Sequence, residues 1–138
     1  DETGEGPRLH LKVDREPAAL FNSVVNELSN CREDRISRLC VTFRGEPGEG
    51  PGVTREFLGL ALRVLLTHKI ESGEGQEPTS AWEYDEQLRT YWFRDEAVGS
   101  PEYFRAFGAL LGHAMLTETR LPPALPPAFY ALLLRSLG

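Results

Sequence analysis

The chain has 138 residues, of which 41% are hydrophobic and 26% charged, so it can bury one domain-sized core and is not a disordered tract. Fifteen Lys and Arg face 21 Asp and Glu, a formal charge of −6, which argues against nucleic-acid binding because neutralising phosphate takes clustered cations. The longest apolar run, Ala128 to Leu134, falls far short of the ~20 residues that span a bilayer, and the acidic start Asp1-Glu2-Thr3-Gly4-Glu5 is unlike a secretory signal.

Residues 1–13 read as a flexible acidic N-terminal segment, followed by one structured unit over 14–138. Asp14 is placed to cap a helix beginning near Arg15, whose Leu20, Phe21, Val24, Val25 and Leu28 fall on one face. The stretch Arg32 to Arg38 is dense in charge. From Leu39 the period changes from 3.6 to 2: Leu39, Val41 and Phe43 alternate with Cys40, Thr42 and Arg44, which predicts a strand with one buried face. A Gly/Pro loop, Gly45 to Gly52, then leads into a helix from about Val53 or Thr54 with a stripe of Phe57, Leu60, Ala61, Val64 and Leu65.

Residues 70–88 hold six acids and no Lys or Arg and read as an acidic loop. Tyr91-Trp92-Phe93 predicts a short strand packed into the core. Ser100-Pro101-Glu102 is a helix start, with a cap, a proline in the first turn and an acid beside it. That helix carries Phe104, Phe107, Gly108, Leu111 and Met115 on one face, and Gly108 and Gly112, one turn apart, predict a backbone packed closely against them. After a Pro-rich turn a last helix runs from Pro127 to Leu137. The sum is a mainly helical α+β fold with two short strands and no internal repeat.

Chemistry is sparse. The Gly loop lacks the Lys and Ser/Thr that a phosphate loop needs, and Glu46 and Glu49 would repel phosphate. Those two glutamates form a conceivable acid–base pair, but solvated loop carboxylates are the plainer reading. His10, His68 and His113 show no metal spacing, and Cys31 and Cys40 are too few for a zinc site. Arg32 and Arg38 lie near these thiols in sequence, yet inert cysteines in a reducing, intracellular compartment, cytoplasmic or nuclear, are the expectation. The residues therefore predict no catalytic group, no metal and no cofactor.

Three ordered blocks do carry a resemblance. Leu39-Cys40-Val41-Thr42-Phe43-Arg44-Gly45-Glu46-Pro47-Gly48-Glu49-Gly50-Pro51-Gly52-Val53-Thr54-Arg55-Glu56-Phe57 resembles the strand, glycine loop and Arg-Glu-aromatic helix start of HECT-type E3 ubiquitin ligases. Tyr103-Phe104 through Gly108, Gly112 and Ala114 is similar to a glycine-bearing helix of that family, and Leu121, Leu125, Pro126, Phe129, Tyr130, Leu132 and Leu133 to the segment after it. The form Glu46-Pro47-Gly48-Glu49-Gly50-Pro51-Gly52-Val53 looks most like the hyperplastic-discs branch, although Glu49 stands where most members carry Asp and Pro51 where the first Gly of a pair is usual.

The resemblance implies a fragment of the larger subdomain of the HECT N-lobe, with the catalytic C-lobe and its cysteine absent. It implies a scaffold, not expected to be active alone. In the complete ligase, ubiquitin passes from a conjugating-enzyme (E2) thioester to a ligase Cys and then to a substrate lysine. The implied partners are the remainder of the HECT domain and, through it, E2 and ubiquitin, with no nucleic acid or membrane. Arg55 and Glu56 are expected to pin the glycine loop. The alternative is a free-standing, non-catalytic interaction module that reuses the same subdomain.

Overall fold

The computed structural model describes residues 8–30, 38–71, 73–95, 98–121 and 124–137. In chain order these form β1 (Arg8–Val13), α1 (Pro17–Leu28), β2 (Arg38–Phe43), α2 (Pro51–Thr67), β3 (Trp82–Asp85), β4 (Thr90–Phe93), α3 (Pro101–Leu116) and α4 (Pro127–Leu137). The architecture is α+β and mainly helical, as the periodicity predicts. Cys31 and all of the charged stretch Arg32 to Arg38 except Arg38 itself lie outside the described residues, as do residues 1–7.

Two strands are additions to the expected elements. Residues 8–13, expected to be flexible, form β1 and pair in parallel with β2, setting Leu9 against Leu39, Leu11 against Val41 and Val13 against Phe43. The physical reason is an alternation of Leu9, Leu11 and Val13 with Arg8, His10 and Lys12, a period-two signal next to an acidic, Gly-containing stretch. Likewise the acidic stretch 70–88 is not one loop. Ile70 and Thr79 bridge through paired backbone hydrogen bonds of 2.8 and 3.1 Å, and β3 follows, antiparallel to β4. Trp82, only 1% exposed, supplies the burial that holds β3 despite the charge around it.

The helix starts differ by a few residues for identifiable causes. α1 begins at Pro17, and its cap is Glu16, whose carboxylate accepts from the N–H groups of Ala18 at 3.1 Å and Ala19 at 2.8 Å. Asp14 acts one step earlier, accepting from the N–H of Glu16. α2 begins at Pro51, since proline's fixed φ suits the first helical position. Its buried residues Thr54, Phe57, Leu58, Ala61, Leu62, Val64, Leu65 and Leu66 cover more than one face, and α2 accordingly packs against α1, α3 and β2.

In α3 the Ser100 hydroxyl accepts from the N–H of Tyr103 at 3.2 Å, as its Ser-Pro-Glu start predicts. The buried face is rotated from the expected one. Tyr103, Ala106, Phe107, Leu110, Leu111 and Ala114 face the core, while Met115 is 66% exposed. Gly108 is exposed, and a Cβ at Gly108 or Gly112 would meet no atom within 4 Å among the described residues. No backbone packs against either glycine there, contrary to expectation. Tyr91-Trp92-Phe93 forms β4, and the core expectation holds for Tyr91, which packs against the core, but not for Trp92 and Phe93, which are 39% and 40% exposed.

One polar link crosses the core. The Trp82 indole N–H donates to the Tyr103 hydroxyl at 2.9 Å, and that hydroxyl donates to the Leu65 carbonyl, joining β3, α3 and α2. Around it, Trp82 stacks on Phe93 and meets Phe107 and Phe129, so the hairpin and α4 close over the same aromatic group.

Candidate functional site

β2 ends at Phe43 and α2 begins at Pro51, so the intervening residues must turn the chain between two packed elements. Glycine supplies the backbone freedom where φ is positive, +79° at Gly45 and +112° at Gly50. The loop is anchored at both ends: the Glu46 N–H donates to the Phe43 carbonyl at 3.0 Å, and the N–H of Thr54 donates to the Gly50 carbonyl at 3.1 Å.

Its side-chain anchor comes from far away in sequence. Arg15, between β1 and α1, donates from Nε and Nη2 to the two Glu46 oxygens at 2.6 and 2.9 Å, and from Nη1 to Glu56 at 2.6 Å. Its guanidinium carbon also sits 3.9 Å from the centroid of the Phe43 ring. The bidentate bond to Arg15 holds the Glu46 carboxyl below the usual carboxylate range, and the same bonds raise the Arg15 guanidinium. All three charged groups are more than 40% exposed, so the clasp fixes loop geometry more than it adds stability.

This arrangement limits the chemistry open to the loop. Glu46 is ionised at neutral pH and engaged at both oxygens, so it is not a general acid partnering the exposed Glu49. For phosphate, Pro51 removes one N–H at the start of α2 and Glu46 already engages Arg15. The expectation that Arg55 and Glu56 pin the loop holds for Glu56 alone, acting through Arg15. Arg55 is exposed and makes none of these contacts. Arg15 itself was illegible as the anchor, because 31 and 41 residues separate it from its two partners and no local spacing announces the pairing.

The other candidate groups are dispersed. His10 is exposed on β1, His68 ends α2 with its ring 4.5 Å from that of Phe21, and His113 is buried in α3, where desolvation lowers its affinity for a proton. Among the described residues no three His, Cys, Asp or Glu side chains converge. Cys40 is half-buried in β2, and Cys31 lies outside the described residues.

No protein-family model matches the chain. Over 127 residues, 91% of its length, it is 28% identical to proteins described as "Probable E3 ubiquitin-protein ligase HECTD2" from Mus musculus, Pongo abelii and Homo sapiens. It spans about 15% of the length of these curated relatives. The chain is thus distantly similar to one region of an E3 ubiquitin-protein ligase.

Proposed function

We propose that the chain is a structural part of a HECT-type E3 ubiquitin ligase, scaffolding a region of the N-lobe, with the reacting cysteine supplied by sequence outside residues 1–138. The observation that carries this reading is the similarity to the E3 ligase relatives over 91% of the chain. Packing supports it, because the three motif blocks supply one core: Leu39, Val41 and Phe43 from the first, Phe107, Leu110 and Ala114 from the second, and Leu125 from the third. The Arg15 clasp gives the glycine loop a holding role, in keeping with a scaffold. The form of that loop, Glu46 to Val53, supports a relation to the hyperplastic-discs branch. On this reading the partners are the rest of the HECT domain, a ubiquitin-charged E2 and ubiquitin, in the cytoplasm or nucleus.

The test is single-turnover transfer from ubiquitin-charged E2, resolved on non-reducing gels. The expected result is no thiol-sensitive ubiquitin adduct on this chain, and an adduct on a cysteine beyond residue 138 when the chain is part of the longer ligase. An adduct on this chain that disappears in Cys40→Ala or Cys31→Ala would overturn the scaffold role. Absence of any adduct on the longer protein would overturn the ligase reading.

A further inference from the structure

The charge of the chain is unevenly placed. Residues 70–95 hold seven Asp and Glu against two Arg, a net −5 out of the −6 carried by the whole molecule. Among the described residues, the ion pairs engage Asp14, Glu46, Glu56 and Glu102, and none of these seven carboxylates. Asp85 accepts through one oxygen from the Gln87 and Leu88 N–H groups of its own turn, and Arg94 is turned to the carbonyl and hydroxyl of Ser80. The excess negative charge therefore stays at the surface, with Arg89 at the hairpin turn the one further cation of the segment.

The same segment carries apolar surface. Tyr84, Leu88, Trp92 and Phe93 are all exposed on the β3–β4 hairpin. The pairing register sorts its two faces: Trp82, opposite Phe93, is buried against the core, while Glu83 opposite Trp92 and Asp85 opposite Thr90 alternate onto the outer face. Directly opposed residues hold their Cβ atoms about 4.5–5.5 Å apart, so the Glu83 side chain stands beside the Trp92 indole. Among the described residues, the ring contact of Trp92 is with neighbouring Phe93.

An exposed indole flanked by carboxylates suits a guanidinium, whose plane stacks on the ring while its N–H groups donate to the acids. The chain already makes this arrangement internally, with Arg15 over the Phe43 ring and bonded to Glu46 and Glu56. Glu83 and Asp85 recur at every second residue, the spacing at which an extended partner presents alternate side chains. Nucleic acid and anionic lipid are repelled by the same charge, and no three His, Cys, Asp or Glu side chains converge on a metal among the described residues.

We infer that the outer face of the β3–β4 hairpin, Trp92 with Glu83 and Asp85, is a docking site for an arginine-bearing, extended segment of a partner protein. This inference does not depend on the ligase reading.

Fluorescence anisotropy of the full chain with a labelled ten-residue peptide, Arg alternating with Thr, tests it. The chain is expected to bind this peptide at low salt. Glu83→Lys with Glu86→Lys is expected to weaken binding by roughly tenfold or more, whereas the same charge change at exposed Glu49 and Glu118 should have a far smaller effect. Trp92→Thr keeps the net charge and suits a strand, and should also weaken binding. On the unaltered chain, a peptide with Lys in place of Arg keeps the charge but lacks the planar group, and should bind roughly threefold or more weakly. Equal binding of the Lys peptide, or an equal loss from Glu49→Lys with Glu118→Lys, would reduce the surface to general negative charge and overturn the proposal. So would full binding by Trp92→Thr, no peptide binding, or self-association of the chain that Trp92→Thr abolishes, which would assign the face to a second copy.

Discussion

Tyr103 shows how much one hydroxyl can do when it is buried. It accepts from Trp82 and donates to Leu65, and burial makes its proton harder to remove, so the phenol stays neutral and keeps both bonds. Tyr103→Phe preserves the ring contacts but leaves the Trp82 N–H and the Leu65 carbonyl short of a partner. The expected cost is about 1–3 kcal/mol, seen as a lower midpoint in thermal unfolding with no change in secondary structure. Arg89 is the opposite case, an exposed non-glycine residue with φ of +55° at the end of the β3–β4 turn. Arg89→Gly relieves that conformation, whereas Arg89→Val strains it further. Denaturant unfolding should therefore place the two variants on opposite sides of the parent, with separations on the order of 1 kcal/mol.

Elements are joined here by contacts whose partners are remote in sequence. The Arg15 clasp ties the start of α1 to the β2–α2 loop and the first turn of α2, and its strength depends on an ionised Glu46. The Glu46 carboxyl is held below its ordinary 4.5 by Arg15, so the contribution of the clasp is complete above that value. It is lost as pH falls through the lower folded-state value. Arg15→Ala should speed amide exchange at Glu46, whose N–H donates to the Phe43 carbonyl, near neutral pH while leaving the exchange of α3 unchanged. In the parent the Glu46 amide should lose its protection only on acidification. At the start of α3, Gly99 has φ of +119°, and a Cβ there would lie 3.0 Å from a Tyr103 ring carbon. Gly99→Ala meets both a strained backbone and a packed ring, and should destabilise by about 1–3 kcal/mol in the same unfolding measurement.

For the whole molecule, stability should depend on pH through His113. Burial disfavours its protonated form, so the folded chain binds fewer protons than the unfolded one below the ordinary His value of 6.5. Stability from this source is full above that value and declines as pH falls through it toward the folded-state value. His113→Gln should shrink the fall in unfolding midpoint between about pH 7 and pH 5.5. The helices and β2 were legible because apolar residues recur at their periods, and Ser100-Pro101-Glu102 marked the start of α3. β1 and β3 were not, because each is a short apolar alternation within strongly charged or Gly-containing surroundings, and pairing across the chain decides their structure. The glycine loop was visible as a loop. Its anchor was not, since nothing around Arg15 encodes a partner 31 residues away.

The parallel pairing of β1 with β2 has a consequence for the order of events in folding. Each matched pair, from Arg8 with Arg38 to Val13 with Phe43, is separated by thirty residues, and α1 lies between them. Closing that ladder means ordering a long segment before any of its hydrogen bonds can form, so the pair should assemble late, after the helices have begun to condense. During synthesis β1 leaves the ribosome well before its partner strand. Its apolar face of Leu9, Leu11 and Val13 must then remain uncovered until Leu39, Val41 and Phe43 emerge.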